Sequence, residues 1–111
     1  MDDYETDDWL LNIFDDWFDP CPLFADFDGL AIEWDTQTYV NPPYSNPMPW
    51  VKKAIEQSKK GCTVVMLLKH DSSTKWYKML HEHGSRFLMI HGRLKFRTGS
   101  SAPFPSVLVV V

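Results

Sequence analysis

Hydrophobic positions along the chain switch between helical spacing and short unbroken runs, and that switching predicts alternating helices and strands. Trp9, Leu10, Ile13 and Phe14 fall on one helical face, and Thr6 followed by Asp7 and Asp8 reads as an N-cap with acids in the first turn. A helix is therefore expected over residues 7–16. Trp17-Phe18-Asp19-Pro20-Cys21-Pro22 reads as a short buried strand ending in a turn, and Asp26-Phe27-Asp28-Gly29-Leu30 as a loop with an acid before a glycine. After the extended run Thr38-Tyr39-Val40, Trp50, Val51, Ala54 and Ile55 recur at helical spacing over residues 49–60, opened by Pro49 and closed by Gly61. Residues 62–68 are all apolar or β-branched, as in a strand buried on both faces. Ser72 or Ser73 then caps a helix that carries Trp76, Tyr77, Met79 and Leu80 and ends at Gly84. Residues 86–90 and 106–111 read as two further strands on either side of a polar, glycine- and proline-bearing connection. This order is that of an α/β domain with a mostly parallel sheet, whose last strand follows its predecessor closely enough to run antiparallel.

Composition narrows the class. With 111 residues and 44% hydrophobic content, the chain is expected to form a single domain, 1–111, around one core. Cys21 and Cys62 stand apart from any CxxC pattern, which suits a reducing compartment. The acidic start and strand-sized apolar runs suit neither a targeting peptide nor a membrane span, so a soluble, cytoplasmic protein is expected. His81 and His83 are the nearest histidine pair, and i,i+2 positions on a helix face apart, so no metal site is expected.

Net charge is −4, but its distribution matters more than its sum. Residues 1–40 hold twelve of the fifteen acids and no Lys or Arg, while residues 41–111 carry eleven Lys/Arg against Glu56, Asp71 and Glu82, a balance of +8. A basic half suits a phosphate backbone; a solvated surface is the plainer explanation of any single charge. Arg93, Lys95 and Arg97 cluster in the polar connection and are the candidates for phosphate contacts.

That basic half begins at Asn41-Pro42-Pro43-Tyr44, between a strand and a helix. Consecutive prolines fix φ, carry no N–H and press the preceding residue into an extended conformation. In this geometry the Asn41 side-chain oxygen and the Pro42 carbonyl can accept hydrogen bonds from one planar NH2 group, with the Tyr44 ring as a wall beside it. The guest this suits is an amino-substituted base or an amide. A rigid surface turn or a proline-rich ligand segment is the plainer alternative.

Asn-Pro-Pro-Tyr resembles the catalytic motif of amino-methyltransferases that use S-adenosylmethionine. With Asp28-Gly29-Leu30, Trp34, Trp50, Lys53-Ala54, residues 63–68, Thr74-Lys75-Trp76, residues 92–96 and Ala102-Pro103-Phe104-Pro105-Ser106, the chain is similar to the phage-type, Dam-like DNA N6-adenine methyltransferases. The resemblance implies an abbreviated Rossmann-like, S-adenosylmethionine-dependent methyltransferase fold that binds DNA and methylates a flipped adenine. Asn41, Pro42, Pro43 and Tyr44 would be catalytic. Asp19 and Pro20 stand where such enzymes end the first strand of the sheet at the cofactor; Asp28 could accept from the cofactor's ribose or from the base, with a local turn as the plainer alternative. Tyr4-Glu5-Thr6 is similar to the aromatic-x-Thr-Pro stretch that helps hold the cofactor, although Asp7 replaces the proline. An RNA adenine, a protein glutamine amide and a non-catalytic, nucleic-acid-binding role are the alternatives.

Overall fold

The switch between helical spacing and apolar runs yields three helices and four strands among the residues described by the computed structural model, which are 8–22, 25–94 and 104–111. In chain order they are α1 (Asp8–Ile13), β1 (Gln37–Val40), α2 (Met48–Lys59), β2 (Thr63–Lys69), α3 (Lys75–His83), β3 (Arg86–Met89) and β4 (Ser106–Val110). The strands form one sheet in the order β1-β2-β4-β3. β1 and β2 are parallel, joined through α2, whereas β4 is antiparallel to both β2 and β3. The expected antiparallel last strand is present. It lies inside the sheet, however, so the sheet is mixed rather than mostly parallel.

β2 holds the centre because Val64, Val65, Met66, Leu67 and Leu68 are all buried, and alternation sends them to two different layers. On one face Val64, Met66 and Leu68 pack with Val107 and Val109 of β4, Val51 and Ala54 of α2, and Trp76 and Leu80 of α3. On the other, Val65 and Leu67 pack with Leu10 of α1, Tyr39 and Leu94, flanked by Phe14 and Trp17.

Helix ends follow local chemistry. α2 carries proline in its first turn, where the missing N–H leaves no helical bond unmade, and Pro47 O accepts from Val51 N at 3.0 Å. α3 starts one or two residues later than either serine cap would require. Its N-cap is Thr74, whose Oγ1 accepts from Tyr77 N at 3.3 Å, because Ser73 turns back to donate its N–H and hydroxyl to Asp71 Oδ1. Gly84 ends α3 with φ 88°, a left-handed conformation that a side chain would strain.

Two segments depart from the sequence expectation. α1 ends at Ile13 rather than near residue 16, where Asp15 and Asp16 would oppose the negative C-terminal end of the helix dipole. The Leu10 and Phe14 side of this short helix meets the sheet, while Trp9 and Ile13 are 51% and 55% exposed. Residues 17–22 make no strand. Phe18 forms a single parallel bridge to Thr38, with Phe18 N donating to Gln37 O at 3.0 Å and Tyr39 N to Phe18 O at 2.9 Å. Pro20 and Pro22 have no N–H with which to extend that ladder.

Gln57 joins these layers from a buried position on α2. Its Oε1 accepts from Trp34 N at 2.9 Å and its Nε2 donates to Glu33 Oε2 at 3.2 Å, while Lys60 Nζ donates to Glu33 Oε1 at 2.8 Å. Those contacts hold Glu33 below the ordinary carboxylate range, chiefly through the Lys60 hydrogen bond and then that of Gln57. Gln57→Leu would leave the Trp34 N–H buried without its acceptor, and is expected to lower stability by about 1–3 kcal/mol. Urea unfolding of the two proteins measures it; equal midpoints would show that the connection is dispensable.

Candidate active site

Strand ends converge at one edge of the sheet. β1 delivers Asn41 there, β2 delivers Lys69 and His70, and β4 starts there after Phe104 and Pro105. The Phe18–Thr38 bridge runs parallel to β1 and brings Asp19 and Pro20 to the same edge. Ligands of open α/β sheets bind beyond such carboxyl ends.

Asn-Pro-Pro-Tyr leaves β1 directly, since the prolines cannot donate to a ladder that ends at Val40 opposite Met66. Pro42 is buried, and Asn41, Pro43 and Tyr44 are half-buried. Pro43 O accepts from Asn46 N at 3.2 Å, closing a turn around Tyr44. The Tyr44 ring meets Phe104 edge to face, centroids 4.6 Å apart at 74°. Lys69 Nζ lies 5.8 Å from the Phe104 ring centre.

A cavity of about 270 Å³ is lined by Phe14, Asp15, Trp17, Asp19 and Tyr39, and by none of the residues of the turn. Tyr39, two residues before Asn41, stacks on Phe14 at 4.5 Å and 9°, and Trp17 packs edge-on against Phe14 at 5.1 Å. Asp19 Oδ1 accepts from Cys21 N at 2.9 Å. Desolvation raises the Asp19 pKa above the usual 3.8, and that hydrogen bond holds the rise back. Burial and then the Asp19 charge push the Cys21 thiol up to about 11, which keeps it protonated and non-nucleophilic at neutral pH.

The remaining candidates divide. Pro20 is buried, and its carbonyl abuts Gly29 so closely that a Cβ there would overlap it. Asp28 is exposed and does not line the cavity; its Oδ1 accepts from Leu30 N at 3.0 Å in a local turn. Arg93 is exposed just beyond β3. Tyr4, Thr6, Lys95 and Arg97 lie outside the described residues. His70 packs back on α3, its ring stacked on Tyr77 at 5.9 Å, and its main-chain N–H donates to Pro105 O at 2.9 Å. Among the described residues no cluster of three His, Cys, Asp or Glu is arranged to hold a metal, and no helix is long and apolar enough to cross a membrane.

The sequence pattern did not assign Phe14, Trp17 and Tyr39 to the cavity, because aromatic residues at such spacing read as core. Phe104 had a signal: an aromatic between Pro103 and Pro105 in an otherwise polar connection.

The family model of DNA N-6-adenine-methyltransferase (Dam) matches residues 13–105, which takes in the cavity residues, the Asn-Pro-Pro-Tyr turn and Phe104. The chain belongs to this Dam family. Within it, the chain is 42% identical over 77 residues to the DNA N-6-adenine-methyltransferase of Haemophilus phage HP1 (strain HP1c1), a match covering 68% of the chain and 40% of that relative. It is 39% identical over 56 residues to the enzyme of the same name from Escherichia phage T1, covering 50% of the chain and 24% of that relative. The chain thus spans less than half the length of these Dam relatives. No solved structure matches it significantly.

Proposed function

We propose that the protein transfers a methyl group from S-adenosylmethionine to the N6 amine of an adenine flipped out of DNA. The observation that carries this reading is the position of Asn41-Pro42-Pro43-Tyr44 at the carboxyl end of β1, the sheet edge to which the Phe18–Thr38 bridge also brings Asp19. Membership of the Dam family and the names of the two phage relatives support it. An abbreviated Rossmann-like methyltransferase fold is part of the proposal, supported by the parallel β1-α2-β2 unit and the antiparallel last strand.

The chemistry follows from the amine. An adenine N6 lone pair is delocalised into the ring and makes a poor nucleophile. Asn41 Oδ1 and the Pro42 carbonyl would accept the two amine hydrogens and draw the lone pair out of conjugation, so that orientation and electrostatics supply the rate. Tyr44 offers its ring face to the base. Leaving the duplex costs the base its stacking, of which an aromatic wall returns about 1–3 kcal/mol.

The cavity suits the methyl donor. Phe14 and Trp17 supply apolar surface for a purine, with the buried Tyr39 stacked behind Phe14, and Asp19 supplies a carboxylate acceptor for hydroxyl or ammonium groups. Asp19, with Pro20 beside it, is proposed to hold it; Asp28 turns away into its local turn, and a part for Tyr4 and Thr6 rests on the family resemblance alone. When bound, S-adenosylmethionine supplies a methyl group activated by a sulfonium. Arg93, Lys95 and Arg97 are proposed to contact the DNA backbone.

A volume of about 270 Å³ is small beside the roughly 300–1,000 Å³ usual for ligand pockets, and this favours a second reading, a nucleic-acid-binding relative without transfer activity. Incubation with tritiated S-adenosylmethionine and unmethylated DNA, RNA or protein separates the readings. Label in DNA supports the first, label in RNA or protein redirects the substrate, and DNA binding without label supports the second.

The same assay tests the base wall. Tyr44→Ala is expected to reduce turnover by roughly 5- to 150-fold, the equivalent of 1–3 kcal/mol of stacking, and Tyr44→Phe by much less, since the ring face and not the hydroxyl does the holding. Nucleoside digestion and mass spectrometry should find N6-methyladenine. N4-methylcytosine as the main product would overturn the adenine assignment and leave the two-acceptor chemistry standing.

A further inference from the structure

The last residue of β2, Lys69, makes two contacts at the edge of the site. Its ammonium lies 5.8 Å from the centre of the Phe104 ring and 3.8 Å from Asp71 Oδ2. Asp71 is itself anchored, because its other oxygen accepts both the N–H and the hydroxyl of Ser73. Those hydrogen bonds, more than Lys69, keep the Asp71 carboxyl below its ordinary range, so it stays an anion at neutral pH. Phe104 in turn touches Tyr44, with ring centres 4.6 Å apart. The two ring distances hold the ammonium within about 10 Å of the Tyr44 ring centre, comparable to the reach from a base to the phosphate of its own nucleotide. The lysine side chain is still 46% exposed, so an incoming anion can reach it.

We propose that Lys69 is a substrate-binding residue that contacts the phosphate of the nucleotide whose base stacks on Tyr44. This rests on the DNA-methylation reading. A base leaving the duplex carries its phosphate towards the rim of the pocket, and a lysine is a suitable point charge to meet it there. The Phe104 face and Asp71 hold the ammonium near that position beforehand, so that less side-chain freedom is lost on binding. Arg93 is also exposed at this edge, but lies beyond the end of β3, whereas Lys69 is tied to the wall of the site.

The test measures steady-state methylation and the salt dependence of binding for the full chain on an amplified, unmethylated mixed-sequence duplex. Lys69→Met keeps most of the apolar stem against Phe104 and removes the charge. Its KM is expected to rise about tenfold with kcat within about twofold, and the slope of log affinity against log salt to fall by about one, the equivalent of a single phosphate. Lys69→Arg should restore both. Lys59→Gln, at the far end of α2, should match the wild type. If Lys69→Met leaves KM and the salt slope unchanged while the wild type methylates the duplex, this assignment is overturned and the methyltransferase reading stands. If the wild type neither binds nor methylates DNA, that reading fails and takes this one with it.

Discussion

Asn41→Ala should lower methyl transfer by roughly 10²- to 10³-fold, the scale seen when one positioned polar contact to a developing charge is removed. The loss should appear in kcat, because the Asn41 oxygen matters most when the amine hydrogens become acidic during transfer. Folding should be nearly unaffected. Pro42 and Pro43 hold the backbone in its extended exit from β1 whatever side chain precedes them, and Asn41 is only half-buried. Methyl transfer and thermal unfolding measured on the same preparation separate the two effects. A mutant that keeps most of the wild-type rate would remove Asn41 from the mechanism, and one that unfolds would show that its role is structural.

A larger structural effect is expected at Gly29. A Cβ there would run into the Pro20 carbonyl and meet the Trp50 ring at 3.0 Å. A main-chain carbonyl beside a proline has little room to give. The loop is also tied from its other side, since Trp34 Nε1 donates to Gly29 O at 2.8 Å. Gly29→Ala should therefore lower stability by about 3 kcal/mol, as overpacking against a rigid neighbour does, and the melting temperature by on the order of 10 °C or more. Because Pro20 adjoins Asp19, methyl-donor affinity measured by calorimetry should fall as well. A melting point within about 3 °C of the wild type would mean that the two loops separate easily.

Much of this arrangement is legible in the sequence, for identifiable reasons. Asn-Pro-Pro-Tyr is visible because proline restricts the backbone locally, so the end of β1 and the turn can be read without knowing the fold. α2 and α3 are bounded by Pro49, Gly61 and Gly84, which act within a turn of themselves. The α3 cap was misread because Ser72, Ser73 and Thr74 are adjacent and equally able to cap; Asp71 decides by claiming Ser73. Residues 17–22 carry strand-like side chains, but Pro20 and Pro22 limit them to one bridge. The place of β4 between β2 and β3 was not legible, since apolar alternation reveals a strand without naming its neighbours. At the site, Lys69 and Phe104 become partners only through that same pairing, across residues far apart in the chain.

The interior position of β4 also governs the order of events during synthesis. β1, α2 and β2 can associate as soon as they emerge from the ribosome, whereas β3 has no partner among the described strands except β4. Until Ser106–Val110 is made, the β2 flank and all of β3 are open edges, with Leu88 and Met89 exposed on one of them even in the finished fold. Pairing β4 with β2 across residues far apart in the chain is a non-local step, of the kind that is slow and exposes apolar surface meanwhile. The same step brings Phe104 against Tyr44, so the wall proposed for the base is assembled only once β4 has joined the sheet.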